Sequence, residues 1–160
     1  MSAPLIVILM GSRADEAHAR KVADAAAALG IESVLRVGSA HKTPEHVLKL
    51  LAEYEAAARP LVFVTIAGRS NALSGFTDGC VNAPVIACPP PSEAFGGADL
   101  YSSLRMPSGI AAAVVLEPAN AALLAAKIFA LSDPDLRARL AAFKQAQAEK
   151  ILRDDGELHG

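Results

Sequence analysis

Ser33-Val34-Leu35-Arg36-Val37-Gly38-Ser39-Ala40-His41-Lys42-Thr43-Pro44 is the stretch that decides the fold. An apolar, strand-like run ends in a short polar turn, and the turn opens a helix. Thr43 suits the N-cap, Pro44 the first helical position, and Glu45 the positive helix end. The turn sets an imidazole beside an ammonium at the carboxyl end of a strand. In an open α/β sheet that edge is where ligands bind.

The same strand–turn–helix unit recurs outward from this stretch. Residues 5–10 form a continuous apolar run, followed by the turn Gly11-Ser12-Arg13. A helix is expected over about 14–29, with His18, Val22, Ala25 and Leu29 on one side and Gly30 as its stop. After the second strand (31–37), a helix over 44–58 turns Val47, Leu48, Leu51, Tyr54 and Ala58 inward. Leu61-Val62-Phe63-Val64-Thr65-Ile66 is the most β-like run of the chain. Its outgoing turn, Ala67-Gly68-Arg69-Ser70-Asn71, leads into a short helix ending near Gly79. Residues 84–88 form a shorter strand that Pro89-Pro90-Pro91 breaks. Phe95-Gly96-Gly97 reads as a mobile loop and 99–104 as a short helix. A fifth strand (112–116) precedes a long helix (117–131) with Leu124, Ile128 and Leu131 inward. Strands and helices alternating at this spacing, with right-handed crossovers, predict an α/β, flavodoxin-like doubly wound parallel sheet of order 2-1-3-4-5.

A fresh helix starts at Ser132-Asp133-Pro134, with Asp133 as cap, and carries Leu136, Leu140, Phe143 and Ile151 in a stripe. The chain therefore divides into a flavodoxin-like body (1–131) and a C-terminal helical arm (132–160), part of the same domain. The arm either packs on its own body or clasps a neighbouring subunit.

Composition fits a parallel sheet wrapped by Ala-rich helices. The 160 residues are 52% hydrophobic with no Trp, enough for one domain to bury a core without staples. A net charge of -2 gives no reason to expect nucleic acid or an anionic membrane as partner. The two cysteines, Cys80 and Cys88, lack metal-ligand spacing and make no disulfide framework. No signal peptide or transmembrane run is visible. These features together predict a soluble cytoplasmic chain.

Four turns emerge at one sheet edge. Gly11-Ser12-Arg13-Ala14-Asp15 precedes a helix, so its N–H groups and the Ser12 hydroxyl suit a phosphate, and Asp15 suits sugar hydroxyls. A plain helix start capped by Ser12 or Asp15 explains the same residues. His41 can give and take protons near neutral pH, or it is an ordinary loop histidine. Lys42 offers a point charge to a phosphate. Ser70 and Asn71 fit a capping turn, whereas Arg69 at that edge invites an anion or carboxylate. Cys88, beside Pro89, reads as a buried apolar residue, with His41 the only histidine at the same edge. His18, His46 and His159 read as structural or solvated. Arg105-Met106-Pro107-Ser108-Gly109 enters at the opposite edge unless it folds back over the crevice, or over a neighbour's. No carboxylate pair stands out for hydrolysis, and no His/Asp cluster suggests a metal.

Taken in order, Met10-Gly11-Ser12-x-x-Asp15, Ser39-Ala40-His41-Lys42-Thr43-Pro44, Ala67-Gly68-Arg69-Ser70-Asn71, Cys88-Pro89-Pro90 and Ser102-Ser103-Leu104-Arg105-Met106-Pro107-Ser108-Gly109 resemble the phosphoribosylaminoimidazole carboxylase family of purine biosynthesis. The resemblance runs over about 5–131. One class of that family is a mutase that moves a carboxyl group from nitrogen to carbon on carboxyaminoimidazole ribonucleotide. The other resembles the carboxylase half of the animal bifunctional enzyme and uses carbon dioxide directly. The mutase class usually carries Arg after the histidine, a second His in the turn after the third strand, and Met-Pro-Arg-Gly later. Lys42, Arg69-Ser70-Asn71 and Met106-Pro107-Ser108-Gly109 instead resemble the carbon-dioxide-using class. As a stand-alone domain with no synthetase following, the chain is expected to carboxylate aminoimidazole ribonucleotide without ATP, biotin or any cofactor; the mutase is the alternative.

The resemblance also implies residue roles. Gly11, Ser12 and Asp15 bind the ribose phosphate, and Ser39 and Lys42 assist at the phosphate. His41 is the general acid/base. Gly68, Arg69, Ser70 and Asn71 line the carboxylation pocket. Ser108 and Gly109 contact the aminoimidazole ring, within the subunit or across a boundary. A homo-oligomer, often an octamer, is implied, which favours the clasping arm. Among unrelated classes, a phosphoacceptor receiver would need acidic residues where Gly11-Ser12 and Gly68-Arg69 stand. A flavin carrier would want flanking aromatics, and only 4% of residues are aromatic.

Overall fold

Apolar runs without polar alternation can form strands only where both faces are covered, and two such runs build the centre of this molecule. The computed structural model describes residues 2–159. Strand β1 (Leu5–Met10) lies between β2 (Glu32–Val37) and β3 (Leu61–Ile66), and β4 (Val85–Ala87) and β5 (Ala113–Val114) complete the sheet on the β3 side. Every pairing is parallel, and the order is β2-β1-β3-β4-β5, as expected. All six residues of β1 and of β3 are buried.

Two helical layers cover the sheet. On one face Ile6, Ile8, Val62, Val64 and Ile86 meet α1 (Glu16–Ala28) and α5 (Pro118–Phe129). On the other, Leu5, Val7, Leu9 and Phe63 meet α2 (Pro44–Glu55) and α3 (Leu73–Cys80). A 3-10 segment (Ala94–Leu100) and the one-turn α4 (Tyr101–Leu104) cross over between β4 and β5. Gly30, at φ +71°, turns the chain from α1 into β2, a conformation that favours glycine. Gly38 serves a different need: a Cβ there would sit 2.8 Å from Val47 Cγ2, so its absence lets α2 lie close against the end of β2.

Several helix faces differ from the expected stripes. In α1 the buried residues are Ala19, Val22 and Ala26, with His18 and Ala25 only half-buried. Its first turn, Arg13–Asp15, is 3-10, because Ser12 Oγ accepts from Ala14 N at 3.2 Å. In α2, Val47, Leu50 and Leu51 are buried while Leu48 and Ala58 face solvent. The helix stops at Glu55, and Ala58 takes a positive φ of 47°. In α5, Ala121, Ala122, Ala125 and Ala126 form the contact face against α1, Leu124 and Ile128 are half-buried, and Leu131 is exposed. Small side chains let two helices approach closely, so alanine takes the places where leucine was expected. At Phe95-Gly96-Gly97 three left-handed residues make a kink between two short helical turns.

The terminal helix α6 (Pro134–His159) begins on its own body. Leu136 and Leu140 enter the core, Arg137 donates to the Ala130 carbonyl at the end of α5, and Arg139 donates to Leu29 O. Beyond Leu140 every described residue of α6 is exposed, including Phe143, Ile151, Leu152 and Leu158. Asp133 caps the helix as expected, its Oδ1 accepting from Leu136 N at 2.9 Å. Asp133→Ala should therefore lower stability by about 1 kcal/mol, measurable as a shift of the urea midpoint with unchanged slope. Among the described residues, no helix is long and apolar enough to cross a membrane.

Candidate active site

Parallel strands deliver their outgoing turns to one edge, and here four of those turns surround a cleft of about 460 Å³. Gly11, Ser12 and Asp15 come from the turn after β1, Ser39, His41 and Lys42 from the turn after β2, Gly68, Arg69 and Ser70 from the turn after β3, and Pro90, Pro91 and Ser92 from the segment after β4. Nine of the twelve expected site residues thus meet within one chain.

The His41 turn is closed by its own backbone. Thr43 N donates to Ser39 O at 2.8 Å, Ser39 N donates to Thr43 Oγ1 at 3.0 Å, and Lys42 N donates to Ser39 Oγ at 3.2 Å. Thr43 stands at the N-cap of α2 as expected, but its hydroxyl is spent on this ring and makes no cap bond to the helix. His46 Nε2 lies 3.2 Å from Val37 O and donates to it, fastening the first turn of α2 to the end of β2. The His41 and Lys42 side chains take no part in the ring and stand exposed at the cleft.

On the opposite wall, Arg69 takes a left-handed φ of 57°, a strained conformation for a residue with a Cβ. Ser102 holds it there: its Oγ accepts from Asn71 N at 2.8 Å and lies 3.1 Å from Arg69 O. Asn71 itself is buried and does not line the cleft. Its amide donates to Ser74 and Ser103 Oγ, and its Oδ1 accepts from Ser74 N at the start of α3. The segment after β4 joins the cleft as expected, through Pro90, Pro91 and Ser92, whereas the sequence reading gave Ser102 and Ser103 no part in holding this turn.

Ser108 and Gly109 also lie outside the cleft of their own chain, both exposed. Their loop is tied to α3 instead, where Ala111 N donates to Asp78 Oδ2 at 2.8 Å. The loop leads into β5 and therefore arrives at the amino edge of the sheet.

Behind Asp15, the thiol of Cys88 meets His18, not His41: Sγ lies 3.5 Å from His18 Nε2 and 3.8 Å from Leu116 O. Burial, with a contribution from Glu117, pushes the Cys88 thiol up to about 12, so it stays protonated and is no nucleophile. Burial lowers His18 below the ordinary imidazole value and raises Asp15 above the ordinary carboxylate value. The groups facing His18 are Cys88, Asp15, Glu117 and Lys21. Because the folded state disfavours the imidazolium, the unfolded chain binds more protons as pH falls below about 6.5. Stability should therefore drop through that window. In His18→Gln the unfolding midpoint should fall less between pH 7 and 5, and an identical fall in both proteins would refute the assignment.

A cleft edged by two helix starts, with one imidazole and two cations among its lining residues, suits an anionic ligand, and comparison with known proteins gives the family. The AIR carboxylase family model matches residues 5–150. The chain belongs to the AIR carboxylase family. It is 58% identical over 155 residues to the phosphoribosylaminoimidazole carboxylase of Treponema denticola, covering 97% of this chain and 98% of that protein. The crystal structure of Treponema denticola PurE superposes with a TM-score of 0.96 over 97% of this chain and 98% of that one. The bifunctional phosphoribosylaminoimidazole carboxylase/succinocarboxamide synthetase of Rattus norvegicus is 43% identical over 93% of this chain, which spans 36% of its length. Membership makes the chain an enzyme of purine biosynthesis with the fold already described.

Proposed function

We propose that this member of the family carboxylates aminoimidazole ribonucleotide at ring C4 with carbon dioxide, reversibly and without ATP or biotin. The observation that carries the proposal is the turn after β3. It presents Gly68-Arg69-Ser70 to the cleft, and His41 is the one imidazole among the cleft-lining residues. The mutase class that the sequence resembles less carries a second histidine in that turn. Lys42 after the histidine, Cys88-Pro89-Pro90 and Met106-Pro107-Ser108-Gly109 support the same assignment.

Each residue then has a task. Ser12 keeps its hydroxyl hydrogen free for the phosphate while its oxygen caps the first turn. The N–H groups after Gly11, with Ser39 and Lys42, complete the phosphate site. Asp15 accepts from ribose. The substrate ring is an enamine whose C4 attacks the carbon of CO2. A new C–C bond forms, and the π pair of one C=O becomes carboxylate charge. His41 then takes the C4 proton, the ring regains aromaticity, and one proton leaves to solvent. Arg69 and Ser70 receive the new carboxylate. In reverse, His41 protonates C4 and CO2 departs.

Asn71 acts through position, holding the Arg69-Ser70 turn against α3 and Ser103. Ser108 and Gly109, remote from their own cleft, serve the ring site of a neighbouring subunit in a homo-oligomer, with the octamer as the expected form. The exposed outer part of α6 is the arm that clasps that neighbour.

The test is AIR consumption in bicarbonate buffer without ATP, run beside the N-carboxylated isomer in CO2-free buffer. Carboxylation of AIR that rises with CO2 is expected. Turnover of the isomer alone, with AIR inert, would assign the mutase reaction instead.

A further inference from the structure

The serines that line the cleft do not present the same end of the hydroxyl to a ligand. Ser12 and Ser39 accept from backbone N–H groups, Ala14 N at 3.2 Å and Lys42 N at 3.2 Å. Their hydrogens remain to be donated, which suits an anionic phosphate. Ser92 is the reverse. Its Oγ donates to Asp99 Oδ2 at 3.0 Å. A carboxylate only accepts, so the single hydroxyl hydrogen is committed there, and Ser92 offers the cleft its lone pairs alone.

The pair is built into the wall. Three left-handed residues, Phe95, Gly96 and Gly97 (φ 51°, 63° and 80°), turn the segment back so that Asp99 reaches Ser92. Such a φ is strained for Phe95, as it is for Arg69. Ser102 Oγ donates to Asp99 O at 2.7 Å and accepts from Asn71 N at 2.8 Å, so one hydroxyl ties Asp99 to the Arg69-Ser70 turn. Pro90 abuts that turn as well: a Cβ on Gly68 would stand 3.3 Å from Pro90 Cγ. An obligate acceptor is thereby fixed beside the turn assigned to the new carboxylate.

An acceptor with no hydrogen to give calls for an N–H donor on the ligand. On aminoimidazole ribonucleotide that donor is the exocyclic amino group, carried by the ring carbon next to C4. We propose that Ser92 accepts a hydrogen bond from this amino group, with Asp99 as the positioning residue that fixes the polarity of its hydroxyl. The assignment rests on the substrate proposed above. As C4 attacks carbon dioxide, the amine nitrogen feeds its lone pair into the ring and gains positive charge. Its N–H becomes a stronger donor, so the contact tightens in the transition state and relaxes when C4 loses its proton.

The test titrates AIR and imidazole ribonucleotide, the same molecule without the amino group, beside carboxylation rates. The proteins are the intact enzyme, Ser92→Ala, Ser92→Thr and Asp99→Asn. The intact enzyme should prefer AIR roughly tenfold, the scale of one hydrogen bond. Ser92→Ala should lose that preference and part of kcat while holding the amine-free ligand as tightly as before, and Ser92→Thr should restore both. In Asp99→Asn the new amide can donate to the serine, so the preference should shrink there too. No preference in the intact enzyme, or a preference unchanged in Ser92→Ala, would overturn the contact. Equal weakening of both ligands in Ser92→Ala would overturn it as well, leaving Ser92 a structural residue. A preference unchanged in Asp99→Asn would remove the positioning role. If the predicted preference and its loss were found but AIR gave no product with carbon dioxide, the reaction assignment would fall and the amine contact would stand.

Discussion

His41→Asn should lose carboxylation by at least ~10²-fold and by up to ~10⁴-fold, the range that a positioned proton-transfer group supplies. Its affinity for the ribonucleotide should stay close to that of the intact enzyme. The split follows from the geometry. The turn that carries His41 is closed by bonds among Ser39, Lys42 and Thr43, none of which uses the imidazole. In the proposed assignment the phosphate and ribose are met by Ser12, Asp15, Ser39 and Lys42, none of which relies on the imidazole. Removing the ring therefore removes the proton acceptor and leaves the cradle. Single-turnover rates with a separate titration of nucleotide binding would measure the two effects independently. A variant that kept its rate would show that another group takes the C4 proton, and one that lost binding in proportion would make His41 a binding residue.

The second large effect concerns the strand beneath Arg69. Phe63 is fully buried at the middle of β3, in the core shared with α2 and α3. Phe63→Ala should cost ~3–5 kcal/mol through lost burial and a residual cavity. Single domains are stable by only ~5–15 kcal/mol in total, so much of the margin disappears. Equilibrium urea unfolding at fixed protein concentration measures the loss. A cost under ~1 kcal/mol would mean that this face repacks freely, in conflict with the buried cluster around Phe63.

What the sequence made legible, and what it hid, follows from which interactions are local. The β1 run, wholly apolar, and the β3 run, broken only by Thr65, stand out because a strand covered on both faces lacks polar alternation. Their outgoing turns are then forced to one edge by parallel pairing, so the grouping of Ser12, His41, Lys42 and Arg69 could be anticipated from strand order alone. Distant polar partners gave no such signal. Ser102 steadies a turn 31 residues earlier, and Cys88 meets His18 across 70 residues. Asn71 sits in the same short run as Arg69, yet it turns inward to the start of α3. Hydrophobic periodicity also misjudged α5, because helices this rich in alanine do not reveal which alanines face a neighbour. The close contact with α1 selected the small residues and left Leu131 outside.

The central claim concerns where the new carboxyl carbon comes from, and an isotope follows it most directly. AIR, ¹³C-bicarbonate and the enzyme are combined without ATP, and the product carboxyl is read by mass spectrometry. The account predicts ¹³C in the C4 carboxylate of the product, at the enrichment of the dissolved carbon dioxide. Formation of product only when an unlabelled N-carboxylated isomer is supplied, with no ¹³C entering from solution, would contradict it.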